Sequence, residues 1–206
     1  MDDIAMIAAD TSRSRVYLQS LVRNRLIPNF VLIIDPHESK NLPGQINSDK
    51  SVIKSIEKNS GCWSEINNDL SIPIINTLKE ASIEFKLIKT DNINNEELLK
   101  SIKNRIESTF IYSGFGGNIL RKKAFETGKK FLHVHGGYLP YYKGSTANYY
   151  SLLIDNDFGA SSIFLDDNID SGPILMRKKF KPPADRQSID HVYDNSARAK
   201  VLIETL

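Results

Sequence analysis

The sequence has few of the features that mark secreted or membrane proteins. Its 206 residues include one cysteine, Cys62, which excludes an intrachain disulfide framework and is compatible with a reducing compartment. The first residues lack the basic start and apolar core of a signal peptide. No apolar run approaches the length needed to span a bilayer. We therefore expect a cytoplasmic protein with no membrane partner.

An excess of charge of one sign is also missing. Lys+Arg number 27 and Asp+Glu number 25, so the net charge is +2. Long-range attraction to nucleic acid is not indicated by this balance, and we predict no nucleic-acid partner. The 40% hydrophobic content suits one domain over residues 1–206 with a substantial core.

The start of the chain predicts a βαβ unit without a dinucleotide fingerprint. Two apolar runs, at 4–9 and 30–34, read as buried strands around a helix capped within 10–12. No G-x-G-x-x-G follows the first strand. Ser12 and Arg13 stand there instead, and hydroxyls with an arginine at a helix N-terminus could hold an anion. A plain capped helix with an exposed Arg13 explains the same residues.

The remaining pattern predicts alternating strands and helices that end in a hairpin. Strands are expected at 83–88, 109–112, 131–135, 159–165 and 174–180, and helices near 74–81, 92–106 and 147–154 and from Ser188 onward. Ser145 is the expected N-cap of the helix at 147–154. Residues 36–71 show no clear element, which is typical of a functional flap.

The strongest chemical pattern lies in residues 131–144. His133 and His135 occupy positions i and i+2 of a strand, so both side chains should point to one face. Gly136 and Gly137 should then allow a sharp turn through positive φ. The carboxyl end of a buried strand is where open α/β sheets bind ligands.

Three interpretations of the two histidines remain open. They could be packed, hydrogen-bonded core residues. They could be two imidazole ligands of a metal, with Asp170 as a carboxylate ligand. They could also serve catalysis without a metal, and the wider motif favours this interpretation.

The order and spacing of several residues resemble the formyltransferases that use 10-formyltetrahydrofolate. That family's signature reads Asn-x-His-x-Ser-Leu-Leu-Pro, then Arg/Lys-Gly and a later Asp-x-Gly. The matching stretches here are 133–140, Lys143-Gly144 and 170–175. Two positions depart from the family: its Asn is His133 and its Ser is Gly137.

The resemblance implies an α/β fold, Rossmann-like, in which a mostly parallel twisted sheet carries helices on both faces and a C-terminal hairpin. It implies formyl transfer from 10-formyltetrahydrofolate to a primary amine. His135 would donate a hydrogen bond to the oxyanion, and Asp170 would orient it and relay a proton. His133 would replace an amide N–H donor. Asp170 should raise the pKa of His135, and the two imidazoles should titrate jointly.

The resemblance also implies a set of folate-binding residues and no metal, and the chemistry of other side chains suggests a set that binds the acceptor. The set expected to bind the folate is Phe115, Asn118, Ile119, Leu120, Asp166, Asp167 and Ile169. The set expected to bind the acceptor is Ser12, Arg13, Tyr138 and Lys143.

A nucleotide-linked amino sugar is the acceptor that we expect first, by analogy. The relatives that act on transfer RNA carry an added barrel and a basic surface, and those that act on glycinamide ribonucleotide carry a glycine-rich loop; this sequence shows none of these. The alternatives are hydrolysis of 10-formyltetrahydrofolate, a non-catalytic ligand-binding homologue and a zinc hydrolase. The protein could also form a homodimer, which the sequence leaves open.

Overall fold

The computed structural model describes residues 1–36, 68–184 and 186–206. Its strands are β1 (Ile4–Ala9), β2 (Phe30–Ile34), β3 (Phe85–Ile88), β4 (Thr109–Ser113), β5 (Lys130–His135), β6 (Phe158–Phe164) and β7 (Ile174–Phe180). Its α-helices are α1 (Ser12–Arg23), α2 (Ile74–Glu80), α3 (Glu96–Asn104), α4 (Lys122–Phe125), α5 (Ala147–Ile154) and α6 (Asp194–Thr205). The expected flap falls almost entirely outside the described residues, as does Cys62.

The seven strands form one sheet in the order β3-β2-β1-β4-β5-β6-β7. The five strands β1 to β5 pair in parallel, and β6 pairs antiparallel with both β5 and β7. The prediction of a mostly parallel sheet with a C-terminal hairpin is therefore confirmed. The chain order reverses between β1 and β4, which makes their carboxyl ends the topological switch point, the usual ligand position in such sheets.

Both faces of the central strands β1, β2 and β4 are buried, which explains why these strands are apolar without alternation. Met6 and Ala8 of β1 face a cluster that includes Leu18 and Leu21 of α1 and Val201 of α6. The alternate residues of the same strand belong to a second cluster with α3 and α4. Helices therefore cover both faces, as predicted. Within the described ranges, no helix is long and apolar enough to cross a membrane.

Several element ends differ from the sequence-based expectation. Helix α3 begins after Asn95, whose side chain accepts hydrogen bonds from two backbone N–H groups. Helix α5 begins after Thr146 with no side-chain cap, so the expected N-cap Ser145 is wrong. The last helix is preceded by a π-helical turn, Ile189–Tyr193, instead of continuing in α form from Ser188. Its residues Ala197, Val201 and Leu202 are buried against the sheet.

Candidate active site

A cavity of about 420 Å³ opens at the switch point of the sheet. Its walls come from the carboxyl ends of β4 and β5, the N-terminal turn of α1, the loop after β6 and the buried side of α6. Its lining residues are Arg13, Tyr112, Phe115, Gly116, Gly117, Asn118, Ile119, Leu120, His133, His135, Gly144, Ser145, Leu165, Asp166, Asn168, Ile169, Asp170 and Arg198. The volume lies in the range of small-molecule sites.

The cavity brings together most of the residues predicted from the sequence. His133, His135 and Asp170 line it, and so does Arg13. Six of the seven residues expected to bind the folate line it as well: Phe115, Asn118, Ile119, Leu120, Asp166 and Ile169. The two histidines share this cavity as the strand alternation predicts.

Four predicted binding residues do not line the cavity. Ser12 accepts a hydrogen bond from the Nδ2 of Asn195 at 3.1 Å. Lys143 and Asp167 are exposed. The ring of Tyr138 lies at the hairpin, stacked on Tyr141 at 6.4 Å between ring centres. These four stay predictions without support from the cavity.

His135 and Asp170 lie within ion-pair distance of each other inside the cavity. The Nδ1 of His135 lies 3.3 Å from Oδ2 of Asp170. The Nε2 of His135 lies 2.8 Å from the backbone oxygen of Tyr142, and because a carbonyl only accepts, Nε2 carries a hydrogen. The Asp170 Oδ2 also accepts from the backbone N–H of Gly144 at 2.9 Å. In the protonated form of His135, the second ring proton therefore lies between Nδ1 and Oδ2 of Asp170.

Burial dominates the electrostatics of this pair. It lowers the pKa of His135 below the ordinary 6.5, although the charge of Asp170 raises the pKa and the cation of Arg198 lowers it further. The expectation that Asp170 raises this pKa is right for its own contribution and wrong for the net direction. His135 is 4% exposed, so desolvation of the charged ring outweighs its single carboxylate partner.

His133 lies two residues before His135 on the same face of β5, and it is half-buried. Its Nδ1 lies 3.4 Å from the backbone oxygen of Tyr112. Burial lowers its pKa well below 6.5, and the positive charges of Arg13 and Arg198 and the neighbouring His135 act in the same direction. The neighbouring imidazole of His135 therefore lowers the affinity of His133 for protons, and joint titration of the two rings stays a prediction.

Gly136 and Gly137 are needed for close approach and not for positive φ. The glycines with positive φ in the described residues are Gly117, Gly128 and Gly144. A Cβ on Gly136 would lie 2.2 Å from the Oδ1 of Asp194 and 2.5 Å from the Nη2 of Arg198, and one on Gly137 would lie 2.8 Å from the Nε2 of His135. The predicted turn through positive φ at these two positions is therefore wrong.

Arg198 is a cavity residue that the sequence analysis missed. It is 12% exposed, donates to Asp194 at 2.7 Å and also donates to the backbone oxygen of Val134 at 3.0 Å. Burial lowers its pKa, but Asp194 and other groups raise it more, so the net pKa is raised. A signal was present: Asp194 and Arg198 are i,i+4 partners beside the apolar positions Ala197 and Val201.

Arg13 reaches across the switch point to the end of β4. It donates to Ser113 Oγ at 3.3 Å and to the backbone oxygen of Gly114. Burial and the cation of Arg198 lower its pKa. No carboxylate contacts its guanidinium within the described ranges. The expected exposed position for a plain capping arginine is not what the structure has.

The apolar wall of the cavity is fixed by two asparagines that bridge neighbouring loops. The Nδ2 of Asn94 donates to the backbone oxygen of Ile119 at 2.9 Å, and its Oδ1 accepts from the N–H of Arg121 at 2.8 Å. The Nδ2 of Asn118 donates to the backbone oxygen of Asp91 at 2.6 Å. These bonds hold Phe115 and its neighbours as a formed wall.

The metal interpretation of the histidines finds no third ligand here. Among residues 1–36, 68–184 and 186–206, no three His, Cys, Asp or Glu side chains lie close enough to share an ion. The His135–Asp170 contact is instead a ring nitrogen to carboxylate contact.

The protein is an open α/β protein of the class that binds ligands at the switch point of the sheet. Its histidine–carboxylate pair lies in a cavity at that point. The chain belongs to the formyl transferase family, because the family model described as "Formyl transferase" matches residues 4–204. The resemblance seen in the sequence is thereby confirmed for the family and for the fold.

Individual relatives agree with this family. A methionyl-tRNA formyltransferase of Finegoldia magna is 32% identical over 108 residues, which are 50% of this chain and 34% of that protein. The match therefore spans well under two thirds of the relative's length. The crystal structure of phosphoribosylglycinamide formyltransferase from Streptococcus pneumoniae has a TM-score of 0.63 at 12% identity and covers 100% of this chain and 97% of its own. A proposed sugar N-formyltransferase from Mycobacterium tuberculosis has a TM-score of 0.56 at 16% identity, covering 99% and 66%. Likeness at these identities concerns the fold.

Proposed function

We propose that the protein transfers a formyl group from 10-formyltetrahydrofolate to the primary amine of a small molecule. The observation that carries the proposal is the His135–Asp170 contact of 3.3 Å in a cavity with a preformed apolar wall. Acyl transfer to an amine needs a group that stabilises developing negative charge and a group that carries a proton, and this pair can supply both.

The cavity suits a flat, partly polar donor. Phe115, Ile119, Leu120 and Leu165 give it an apolar wall, and backbone groups of the 115–120 segment lie beside them. 10-Formyltetrahydrofolate would supply the formyl carbon, and the apolar wall and loop carboxylate Asp166 would hold its ring system. Exclusion of water by this wall strengthens the hydrogen bonds that act on the reacting group.

His135 would act on the oxygen of the formyl group. Its Nε2 hydrogen is donated to the Tyr142 backbone oxygen at 2.8 Å, so the developing oxyanion must share or displace that acceptor. Asp170 stabilises the positive ring in this step, because its carboxylate lies against Nδ1. The proton that a protonated His135 shares with Asp170 is the one that the leaving nitrogen would receive.

An anionic acceptor is favoured by the arginines. Arg13 lines the cavity with hydrogen-bond partners that carry no charge, and Arg198 adds a second cation nearby. A phosphate-bearing amine would gain a charge-assisted contact there. This supports a nucleotide-linked amino sugar as the first choice.

The experiment is a folate-release assay with purified protein and 10-formyltetrahydrofolate. It is run with no amine, with a nucleotide-linked amino sugar, with glycinamide ribonucleotide and with aminoacylated transfer RNA. We expect release that depends on the amino sugar. Release without any amine would replace the transferase with a hydrolase, and no release in any arm would overturn the enzymatic proposal.

A further inference from the structure

His133 has one ring nitrogen that the protein leaves open to the cavity. Its Nδ1 lies 3.4 Å from the backbone oxygen of Tyr112, and a carbonyl only accepts, so Nδ1 carries the hydrogen. Its Nε2 has no hydrogen-bond partner within the described ranges. A neutral ring in this tautomer presents a lone pair at Nε2.

The surroundings keep this ring neutral. Arg13 on α1 and Arg198 on α6 place positive charge beside it, and His135 lies next to it on β5. Tyr112 on β4 contributes its carbonyl, and Asp170 in the loop before β7 is engaged with His135 and Gly144. Burial and the neighbouring cations all lower the pKa of His133, so the lone pair is present at neutral pH.

The neighbouring imidazole cannot offer the same group. Both nitrogens of His135 face acceptors: Nδ1 faces Asp170, and Nε2 faces the Tyr142 oxygen. Its Nε2 therefore donates, and its Nδ1 lies against a carboxylate, so neither nitrogen presents a free lone pair to the cavity. Within the pair, donation and acceptance are divided between two residues that share one face of β5.

We propose that the Nε2 of His133 accepts a hydrogen bond from the acceptor amine and takes its proton during attack. The proposal rests on the function proposed above. It reverses the polarity expected at this position, since the family's amide N–H would donate, whereas this nitrogen accepts.

The amine nitrogen forms a bond to the formyl carbon and gives one hydrogen to His133 Nε2 as a proton. The bond from the formyl carbon to the folate nitrogen breaks, and that nitrogen receives the proton that His135, in its protonated form, shares with Asp170. His133 then returns its proton to that pair through solvent in the cavity, which restores both rings.

The neighbouring cations oppose protonation of His133, and the acceptor can offset them. A phosphate bound at Arg13 would neutralise the charge that most directly lowers the pKa of His133. Binding of an anionic acceptor would therefore strengthen the base. A neutral amine without phosphate would lack this effect.

The first test measures which ring nitrogen of His133 carries the hydrogen. The chain has four histidines, so nitrogen-15 spectra of histidine-labelled protein can be assigned by comparison with His133→Asn. We expect one ring, missing from the variant, with protonated Nδ1 and unprotonated Nε2 at neutral pH. A protonated Nε2 on that ring at neutral pH would overturn the proposal, whatever the activity assay gives.

The second test uses rate. His133→Asn keeps a donor for the Tyr112 oxygen and supplies the family's amide, but has no titrating lone pair. We expect kcat to fall about 100-fold or more, as for loss of a general base, with a smaller change in KM for the folate. The matched control is His191→Asn, at an exposed position on the π-helical turn, which should keep the wild-type rate. A wild-type rate in His133→Asn would overturn the base role. Inactivity of wild-type protein in every arm would instead remove the proposed function and leave the spectroscopic result standing.

Discussion

Ionisable groups are buried at both ends of the sheet, but the two ends differ in the hydrogen-bond partners that these groups have. At the amino end, Glu107 is fully buried and accepts from Arg105 at 2.9 and 2.7 Å and from Asn29 at 2.6 Å. At the carboxyl end, the Nε2 of His133 has no partner among the described residues, and Arg13 contacts only uncharged acceptors there. We call the amino end closed, because its buried carboxylate has all of its partners within the protein. We call the carboxyl end open, because its ionisable groups keep hydrogen-bonding capacity for a ligand.

This difference separates a structural ion pair from a candidate site. Hydrogen bonds from Arg105 lower the pKa of Glu107 to about 2, so its charge is fixed at neutral pH. Arg105 also stacks over Phe30 at 3.9 Å, which seals the pair from one side. Both histidines have lowered pKa values caused first by burial, without full compensation. Buried ionisable groups whose hydrogen-bonding atoms lack a protein partner are those expected to act on a ligand.

The largest expected effect is on the open end, in Asp170→Asn. The amide removes the negative charge against His135 Nδ1 but can still accept from Gly144, so the loop should stay in place. We expect the rate of formyl transfer to fall by about 10² to 10⁴ with little change in melting temperature. Glu126→Gln, at the exposed position that follows α4, is the matched control for charge removal. A wild-type rate in Asp170→Asn would show that the pair has no part in the reaction.

At the closed end, Glu107→Gln should lower stability and leave the rate unchanged, which is the opposite of the result expected for Asp170→Asn. The substitution keeps the shape but leaves Arg105 without its carboxylate, and breaking a buried pair costs about 3 kcal/mol. Urea denaturation measures the loss, and the kcat of the folded variant should not change. Glu96→Gln, on the solvent side of α3, should leave the midpoint unchanged. A Glu107→Gln protein as stable as wild type would remove the contrast between the two ends.

A tighter test of the open end is Gly137→Ala. The added Cβ would lie 2.8 Å from His135 Nε2 and 2.7 Å from the Cβ of Ala147, so one of them must move. Overpacking of this kind costs about 1 to 3 kcal/mol, and a displaced His135 should also lower the rate. Gly116→Ala, where nothing lies within 4 Å of the new Cβ, serves as the stability control. Equal stability of both variants would mean that the turn is not closely packed.

Much of the fold could be read from local pattern. The apolar runs at 4–9 and 30–34 became β1 and β2, and the hairpin at the end of the sheet was predicted from two runs joined by an acidic loop. These signals are strong because both faces of the strands are buried. The start of α5 was harder to place, because Thr146 precedes it without any side-chain cap to leave a signal.

The candidate site could be predicted only in part. His133 and His135 follow from strand alternation, and Asp170 from the motif. The sign of the His135 pKa and the presence of Arg198 depend on burial and on a distant helix, which no local pattern reports. The glycines show the same limit, since Gly137 is required by a neighbour in space and not by its own φ.

The smallest expected effect is a separation of the two ends by pH. The folded-state pKa of His133 is lowered, so the unfolded chain binds more protons below 6.5 and stability should fall as pH drops beneath that value. The pKa of Glu107 is lowered from 4.5 to about 2, so its contribution is complete above 4.5 and is lost as pH falls toward 2. Urea denaturation from pH 7 downward should therefore show a smaller decline below 6.5 in His133→Asn than in wild type. The stability difference between Glu107→Gln and wild type should shrink only below 4.5. If both variants changed the same pH interval, the two ends would not be electrostatically independent, and the closed and open groups would have to be treated as one coupled system.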